Sequence, residues 1–358
     1  MSNKMILAGD IGGTKTYLGL FQMVEGKVRP ITEIKEYSSP SYSSFTALVQ
    51  DFLLFLDQSS LREDEKFIGV ACFGIAGPIK TDNNEKRYCE MTNIPQWSVI
   101  TEDGLSQLIN GEKVILLNDL EAIGHGISTL SETMGNGISP LYEADLVELN
   151  AGTPQKGNRA VIAAGTGLGE LMLYWDSHEH IPSASEGGHT DFAARDQFEY
   201  ALQNYLREKC YPKLVNYEQV LSGRGLVNIY EFIRDRGEYG KESPDLRERL
   251  GKQDKAQVIS EAALAKENRL CIKALDVFVS IYGAQARNLA LQCLPFNGLY
   301  IGGGIAPKIL AKLRDTTFMH AFANKNGDFP DLLASIPVKV IMNPQVGLLG
   351  AAWRGAKT

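Results

Sequence analysis

The first residues that could do chemistry form a glycine-rich stretch, GDIGGTKT, at residues 9–16. It nearly matches the phosphate-binding loop G-x-x-x-x-G-K-[ST], in which a helix must follow the Lys so that its first amides hold the phosphates. Here the residues YLGLF follow, and they favour a strand. We therefore predict a β-hairpin turn in which glycines adopt positive φ and backbone N–H groups, with Thr14 and Lys15, hold an anion. A tight hairpin turn without a ligand fits the same residues.

Two further glycine runs resemble this stretch in composition. AAGTGLG at residues 163–169 also lies between an apolar strand and a second alternating strand. Two such turns suit two clamps that hold one polyphosphate from opposite sides. The third run, IGGGI at residues 301–305, is predicted to join an apolar strand to a helix, where missing Cβ atoms would let a flat ring lie against the backbone. Close packing of that strand on the helix is the alternative.

Polar side chains stand near the predicted ends of strands and at turns. Asn118 and Asp119 follow a buried strand, at the end where α/β folds bind ligands, so a carboxylate there could accept a substrate proton. Asp119 would also serve as a helix N-cap. Glu186 and His189 flank two glycines, and Glu218 precedes a Ser-Gly turn, where a lone Glu is ordinarily solvated. Together these carboxylate, amide and imidazole groups could bind the hydroxyl groups of a sugar.

The elements that must position these residues alternate between buried strands and amphipathic helices, which predicts an α/β fold. Predicted strands occupy residues 5–8, 16–22, 67–74, 113–117, 160–163, 170–175, 298–301 and 338–342. Predicted helices occupy residues 45–57, 197–210, 226–234, 258–293 and 346–354. Two segments, 131–158 and 234–257, are rich in turn residues or in charge and are predicted to be exposed connections.

Composition favours a small-molecule partner. The 358 residues suggest roughly two domains. A net charge of −7, without a dense run of Lys and Arg, argues against nucleic acid or an anionic membrane as partner. The five cysteines are odd in number and lack zinc-ligand spacing, which favours a reducing compartment. The sequence shows neither a signal-peptide core nor an apolar run that could span a bilayer, so we expect a cytoplasmic protein.

Taken in order, the motifs resemble those of the bacterial ATP-dependent glucokinase family. They are DIGGTK (10–15), GIAGP (74–78), MTN (91–93), LNDLEA (117–122), AGTGLG (164–169), EGGH (186–189), LSGRGL (221–226) and GGGI (302–305). The resemblance covers nearly the whole chain and implies the superfamily of sugar kinases, actin and heat-shock ATPases, with two ribonuclease-H-like α/β domains and a cleft between them. It implies a small domain of residues 1–118 plus 344–358, whose last helix crosses back, and a large domain of residues 119–343.

The resemblance also implies an activity, namely transfer of the ATP γ-phosphate to the 6-hydroxyl of glucose at the entry to glycolysis, with Mg²⁺ and with Asp119 as the base. The implied glucose ligands are Asn118, Asp119, Glu186, His189 and Glu218. The implied nucleotide ligands are Asp10, Ile11, Gly12, Gly13, Thr14, Lys15, Gly165, Thr166, Gly167, Gly303 and Gly304, with Asp10 at the metal.

Two positions depart from the family pattern, which usually has Pro where Ala164 stands and often has Pro where Arg224 stands. These changes bear on turn rigidity and nucleotide contacts, and they leave the implied sugar ligands intact. The resemblance further implies a homodimer. The alternatives are a kinase for another hexose or an amino sugar, and, from a different class, a non-catalytic sugar-responsive regulator or an actin-like assembly ATPase.

Overall fold

The structure is a computed structural model that describes residues 4–25, 27–91, 94, 96–97, 99–109, 113–128 and 145–358. Its strands are β1 (Met5–Ile11), β2 (Lys15–Val24), β3 (Lys27–Pro30), β4 (Lys35–Ser38), β5 (Ile68–Ile75), β6 (Ile79–Thr81), β7 (Arg87–Cys89), β8 (Ile100–Thr101), β9 (Lys113–Asn118), β10 (Leu146–Asn150), β11 (Arg159–Ala164), β12 (Leu168–Trp175), β13 (His180–Ala184), β14 (Leu299–Gly302) and β15 (Val338–Ile341). Its helices are α1 (Phe45–Asp57), α2 (Glu63–Lys66), α3 (Glu102–Leu108), α4 (Asp119–Ser128), α5 (Gln197–Lys209), α6 (Gly223–Arg236), α7 (Pro244–Lys252), α8 (Lys255–Leu264), α9 (Arg269–Cys293), α10 (Leu310–Leu313), α11 (Thr316–Phe322), α12 (Pro330–Ser335) and α13 (Val346–Ala356).

The chain divides into two compact units. The first contains Met1–Asp145, Glu179–Ala184 and Asn343–Thr358 in their described parts, and the second contains Leu146–His178 and Ser185–Met342. The sequence placed the boundary after residue 118, but α4 groups with the first unit because it packs closely against α13. A Cβ atom at Gly350 would lie 1.8 Å from the carbonyl oxygen of Ala122, so this approach requires glycine.

The first unit is built on a sheet with strand order β3-β2-β1-β5-β9, and β4 also pairs with β2. Strands β1 and β2 form an antiparallel hairpin, whereas β1, β5 and β9 are parallel. Ile11 pairs with Ile75, and Ile75 pairs with Asn118. Because these parallel strands end in register, the residues at their carboxyl ends lie at one edge of the sheet.

Apolar side chains cover both faces of this sheet. Leu7 and Ile11 belong to a buried cluster that includes Phe45 and Phe52 of α1. On the other face, α13 packs against β1 and β5. Alternation of inward positions along the strands therefore buries the sheet between helices, and its carboxyl-end edge is the place left for polar side chains.

The second unit is built on a sheet with strand order β10-β15-β14-β11-β12. Strands β11 and β12 form an antiparallel hairpin, while β11, β14 and β15 are parallel. Ala163 pairs with Gly302, so the second and third glycine runs begin at the same edge of this sheet. The long helix α9 lies in the main hydrophobic cluster of this unit together with α6, α8 and α11.

The sequence predicted eight of the described strands and the helices α1, α5, α6 and α13, and three expectations need correction. The single helix expected at residues 258–293 is two helices, because Lys266 has a φ of 57° and the side chain of Asn268 caps α9 by accepting the N–H of Leu270 at 2.8 Å. Residues 234–257, expected to be a connection, contain α7, which is anchored by the buried side chain of Leu246. The other segment expected to be a connection, 131–158, is described from residue 145 onward, where it contains the strand β10.

Membrane insertion is not supported by any helix in the described parts of the chain, since none combines the length and the apolar character that crossing a bilayer requires.

Candidate active site

The first glycine turn is a hairpin turn, as predicted. Ile11 pairs with Thr16, the N–H of Gly12 donates to the carbonyl oxygen of Lys15 at 2.9 Å, and the strand β2 follows. The turn is therefore not a phosphate-binding loop of the strand–loop–helix type. The expectation of positive φ is wrong at Gly12. Glycine is needed there because a Cβ atom would lie 2.9 Å from the Lys15 carbonyl oxygen.

The buried residue Ser39 forms two hydrogen bonds to this turn. Its hydroxyl donates to the carbonyl oxygen of Gly12 at 2.7 Å, and its backbone N–H donates to the carbonyl oxygen of Thr14 at 3.0 Å. The hydroxyl of Thr16, also fully buried, lies 2.9 Å from the Ser39 hydroxyl. Two carbonyl groups of the turn are thus held on Ser39, which fixes the orientation of its peptide planes.

Lys15, at the end of the turn, forms an ion pair with Glu36 of β4, with 2.6 Å between Nζ and Oε1. The hydrogen bond to Glu36 raises the pKa of Lys15. Both side chains are about half exposed, so solvent screens the pair and its contribution to stability is small. The ammonium group remains close to the turn and accessible to an anion.

Two carboxylates interact at the carboxyl edge of the first sheet. Asp10 is the penultimate residue of β1, and Asp119 is the first residue of α4. Burial and the nearby Asp119 carboxylate raise the pKa of Asp10 to about 7. Asp10 also touches the start of α13, because a Cβ atom at Gly347 would lie 2.6 Å from its Oδ2. Since each carboxylate disfavours ionisation of the other, this pair is suited to a bound cation.

Asn118 holds the peptide that leads into α4. Its Nδ2 donates to the carbonyl oxygen of Gly77 at 3.0 Å, and its Oδ1 accepts the N–H of Leu120 at 3.0 Å. The Oδ1 of Asp119 accepts the same N–H at 2.9 Å. The structure thus corrects the capping expectation, because Asn118 caps α4 and Asp119 is the first residue of the helix.

The second glycine turn repeats the hairpin in the second unit. Ala164 pairs with Leu168, and the N–H of Gly165 donates to the carbonyl oxygen of Gly167 at 2.8 Å. Helix α6 is attached to it, because the N–H of its first residue, Gly223, donates to the carbonyl oxygen of Gly165 at 2.9 Å. The internal echo in the sequence thus corresponds to two hairpins of the same kind.

Glu218 supports this second turn rather than lying in solvent. It stands in a 3-10 turn, Tyr217–Gln219, and its Oε2 accepts the N–H of Leu168 at 3.2 Å. Its Oε1 accepts from Nη2 of Arg224 at 3.1 Å, and only 19% of its side chain is exposed. No local pattern indicated this burial, because the partners come from β12 and α6.

Glu186 and His189 lie at the two ends of another 3-10 turn, Gly187–His189. The His189 Nε2 is 3.8 Å from the Glu186 Oε2, and both side chains are more than half exposed. The His189 Nδ1 is 3.3 Å from Nδ2 of Asn216, which caps the turn that carries Glu218. The structure therefore brings Glu186, His189 and Glu218 together within the second unit.

A network of buried polar side chains connects β12 to the turn that carries Glu218, and sequence reasoning missed it. Glu170 of β12 accepts from Nε2 of Gln285 at 2.8 Å, and burial raises the pKa of its carboxyl group. Nδ2 of Asn288 donates to Oε1 of Gln285 at 2.9 Å and to the hydroxyl of Tyr217 at 3.0 Å. A charged residue inside the apolar strand ELMLYW was the available signal.

The third glycine run lies against the second turn. Gly303 has a φ of 81°, and a Cβ atom there would lie 2.3 Å from the carbonyl oxygen of Ala164. That oxygen accepts the N–H of Ile305 at 3.2 Å. The helix expected directly after the glycines is absent from this segment, where turns precede α10. Gly303 is therefore packed closely against Ala164, which agrees with the alternative of close packing, whereas a Cβ atom at Gly304 would meet nothing within 4 Å. Contact of a flat ring with this backbone stays a prediction.

The predicted site residues thus form one group in each unit. The first unit holds Asp10, Ile11, Gly12, Gly13, Thr14, Lys15, Asn118 and Asp119, and the second holds Gly165, Thr166, Gly167, Glu186, His189, Glu218, Gly303 and Gly304. Of the MTN motif, only Met91 belongs to the described residues. Among the described side chains, no group of three or more His, Cys, Asp or Glu is arranged to hold a metal ion.

Known proteins are similar to this chain over nearly its whole length. A family model described as Glucokinase matches residues 7–358. The glucokinase of Nostoc punctiforme is 39% identical over 365 residues, which cover 99% of both chains. A glucokinase crystal structure from an Antarctic psychrotroph has a TM-score of 0.78 at 24% identity and covers 99% of both chains. A ROK family glucokinase from Streptomyces griseus, in complex with glucose and AMPPNP, has a TM-score of 0.62 at 20% identity over 99% of this chain and 100% of that one.

These structural neighbours confirm the predicted actin-like ATPase fold class. The sequence match is stronger evidence than the fold alone, because it extends over nearly the whole length of both chains at well above 30% identity. With its motifs in family order and its family-model match from residue 7 to the end, this chain belongs to the glucokinase family.

Proposed function

We propose that this protein transfers the γ-phosphate of ATP to the 6-hydroxyl of glucose and releases glucose 6-phosphate and ADP. The observation that carries the proposal is the pair of carboxylates, Asp10 and Asp119, beside the first glycine turn. One carboxylate suits a cation and the other suits a proton acceptor, which are the two groups that hydroxyl phosphorylation by ATP requires. The names of the relatives, and the glucose and AMPPNP in the Streptomyces griseus complex, support the choice of substrates.

In the proposed mechanism Asp119 accepts the proton of the 6-hydroxyl as the oxygen attacks the γ-phosphorus. The bond from the γ-phosphorus to the bridging oxygen breaks, and its electron pair leaves with ADP. Phosphoryl transfer needs little covalent work from the protein, so the task of Asp119 is to orient the hydroxyl and to take its proton. The hydrogen bond from Leu120 fixes one carboxylate oxygen and so helps to orient the side chain.

The residues present fit a Mg²⁺ ion, because a hard divalent cation prefers carboxylate oxygen and binds through one or two carboxylates with phosphates and water. When bound, Mg²⁺ would neutralise charge on the β- and γ-phosphates. Asp10 is proposed as the protein ligand. A nearby cation would favour its ionised form, which burial and Asp119 oppose in the free enzyme.

The remaining residues are proposed to bind substrate. Asn118, Glu186, His189 and Glu218, with Asp119, would receive the sugar hydroxyl groups. Backbone N–H groups of the two glycine turns, with Ile11, Thr14, Lys15 and Thr166, would surround the phosphates, and Gly303 with Gly304 the adenosine. The close contact between the second and third glycine runs supports this, since a Cβ atom at Gly165 would lie 4.0 Å from the N of Gly304.

A cytoplasmic homodimer completes the proposal. All five cysteines are free and four are buried, which suits a reducing compartment. The homodimer follows from the family resemblance. Equilibrium sedimentation of the purified protein at micromolar concentration tests it, and a monomer mass would contradict it.

Replacing Asp119 by Asn tests the mechanism. We expect kcat with glucose and MgATP to fall by about 10³-fold, while glucose binding measured by calorimetry changes little. The matched control is Asp103→Asn, which changes another acidic residue in the first turn of a helix of the same unit and should keep wild-type kcat. Near-normal turnover of Asp119→Asn would contradict the role of base.

The sugar is tested with a coupled assay for ADP that offers glucose, mannose, fructose and glucosamine separately to the wild-type enzyme. We expect the highest kcat/KM with glucose. A higher value with another sugar would replace glucose by that sugar in the proposal. Glucose binding without ADP release would instead favour a sugar-responsive regulator.

A further inference from the structure

A single tyrosine hydroxyl lies beneath the second and third glycine runs. Tyr282 of α9 is fully buried, and its hydroxyl accepts the N–H of Ala164 at 3.2 Å. Its own proton has two carbonyl acceptors, Ile162 at 3.3 Å and Gly302 at 3.5 Å. Ala164 and Gly302 are the last residues of β11 and β14, so one side chain contacts both strand ends from which the glycine turns begin.

Ala164 is the junction between the two runs. Its carbonyl oxygen accepts the N–H of Ile305, and Gly303 can approach it only because glycine has no Cβ atom. Its N–H lies 3.2 Å from the Tyr282 hydroxyl, at the point where the ladder between β11 and β14 ends with the pairing of Ala163 and Gly302. Both backbone groups of Ala164 therefore help to set the relative position of the two runs, and the Tyr282 hydroxyl contributes to that restraint.

The ring of Tyr282 has a separate role. It makes edge-to-face contacts with Phe278 and Phe318, at centroid distances of 6.0 and 5.8 Å. These contacts account for the packing of the aromatic ring and would survive loss of the hydroxyl. Burial raises the pKa of the phenol, so the hydroxyl stays neutral and can donate and accept.

We infer that Tyr282 is a positioning residue for the nucleotide, because its hydroxyl holds the second glycine turn and the Gly303 turn in the geometry that receives ATP. The inference rests on the proposed nucleotide site. It assigns to Tyr282 no contact with substrate. Its effect is expected in nucleotide affinity and not in sugar affinity.

The first experiment compares Tyr282→Phe with the wild type by calorimetric titration of ADP and, separately, of glucose. The affinity for ADP should fall by about tenfold, as the loss of a buried hydrogen-bond partner predicts, with glucose affinity within about twofold of wild type. Tyr230→Phe is the matched control. It removes another buried hydroxyl of the same unit, bonded to Glu242 at 3.1 Å, and should leave ADP affinity unchanged.

The second experiment combines Tyr282→Phe with Ala164→Pro in a double-mutant cycle. Because proline removes the donor, Tyr282→Phe should have less than about twofold effect on ADP affinity in the proline background. Hydrogen exchange in wild type and Tyr282→Phe gives an independent measurement. Exchange at the Ala164 amide should accelerate in Tyr282→Phe, and this measurement remains available if the proline variant does not fold.

Three results would overturn the inference: unchanged ADP affinity in Tyr282→Phe, equal losses of ADP and glucose affinity, or the same loss of ADP affinity in alanine and proline backgrounds. Failure of the proposed function has a different signature. The wild type would then release no ADP with any sugar, or would not bind ADP at all, before any variant is considered.

Discussion

The two glycine turns have the same hairpin form but opposite electrostatic surroundings. The first turn accepts a hydrogen bond from a neutral hydroxyl, that of Ser39. It lies beside two carboxylates, Asp10 and Asp119, that repel each other. The second is fastened by a carboxylate, that of Glu218, whose charge is balanced by Arg224. A repeated backbone device therefore does not imply a repeated chemical role, because the side chains beneath it decide which ligand it suits.

This contrast has two consequences. The first turn has excess negative charge nearby, so its phosphate would be held together with a cation. Glu218 serves both the second turn and the proposed sugar site, so a change of Glu218 itself should affect both substrates. The four predictions below test these differences, beginning with the largest expected effect.

Replacing Asp10 by Asn should lower kcat by about 10²-fold or more, because the proposed metal ligand is lost.

In the absence of metal, the Asp10→Asn variant should be more stable than the wild type at high pH. The pKa of Asp10 is raised from 3.8 to about 7, so the folded state binds this proton more tightly than the unfolded state does. The part of the wild-type folding stability that the Asp10 proton contributes is therefore lost as pH rises from about 4 to about 7.

Thermal unfolding in EDTA at pH 5 and pH 8 measures this effect. The gain from Asp10→Asn should be larger at pH 8, by an amount on the order of 2 kcal/mol. Asp51→Asn, an exposed change on α1, is the control and should alter neither kcat nor the pH dependence. An equal gain at both pH values would contradict the raised pKa of Asp10.

Replacing Glu218 by Ala should raise KM for both glucose and MgATP by about tenfold or more. The N–H of Leu168 loses its acceptor, Arg224 loses its partner, and the sugar loses a ligand. Steady-state kinetics with each substrate varied in turn measures both constants. Glu208→Ala, on the exposed face of α5, serves as control. A rise in KM for glucose alone would break the link between Glu218 and the second turn.

Replacing Ser39 by Ala should raise KM for MgATP by about fivefold and leave KM for glucose unchanged, because only the first turn loses a fastening hydrogen bond. Ser44→Ala is a matched control. It removes the N-cap of α1, whose hydroxyl accepts the N–H of Ala47 at 3.0 Å, and should cost a similar ~1 kcal/mol of stability without changing either KM. If both variants raise KM for MgATP equally, Ser39 acts only through stability.

Replacing Arg224 by Pro, the residue that the family often has, should produce the smallest effect, about twofold in KM for glucose. Arg224 binds Glu218 through a single guanidinium nitrogen, and 57% of the Arg224 side chain is exposed. Solvent therefore screens this ion pair. Arg224→Lys should recover most of the loss if charge balance is what matters. A loss larger than that of Glu218→Ala would show that Arg224 contacts a substrate itself.

Local patterns predicted much of the fold because strand alternation, glycine turns and helical periodicity are properties of neighbouring residues. The strand β2 is an example, since the residues YLGLF favour a strand by their own side-chain types. The break between α8 and α9 was missed, although Asn268 is a good N-cap, because the apolar period continues through it. The grouping of α4 with the first unit depends on its packing against α13, more than 200 residues later.

The sequence by itself determined the types of chemical group in the site, the two hairpin turns, and membership in the glucokinase family, because these depend on residue identity and order. Only the tertiary structure decided how those groups are connected. Glu218 supports the second turn, and burial together with the nearby Asp119 carboxylate raises the pKa of Asp10. Tyr282 and Ala164 meet although 118 positions separate them. Such contacts depend on burial and on distances in the folded chain, which no local pattern encodes.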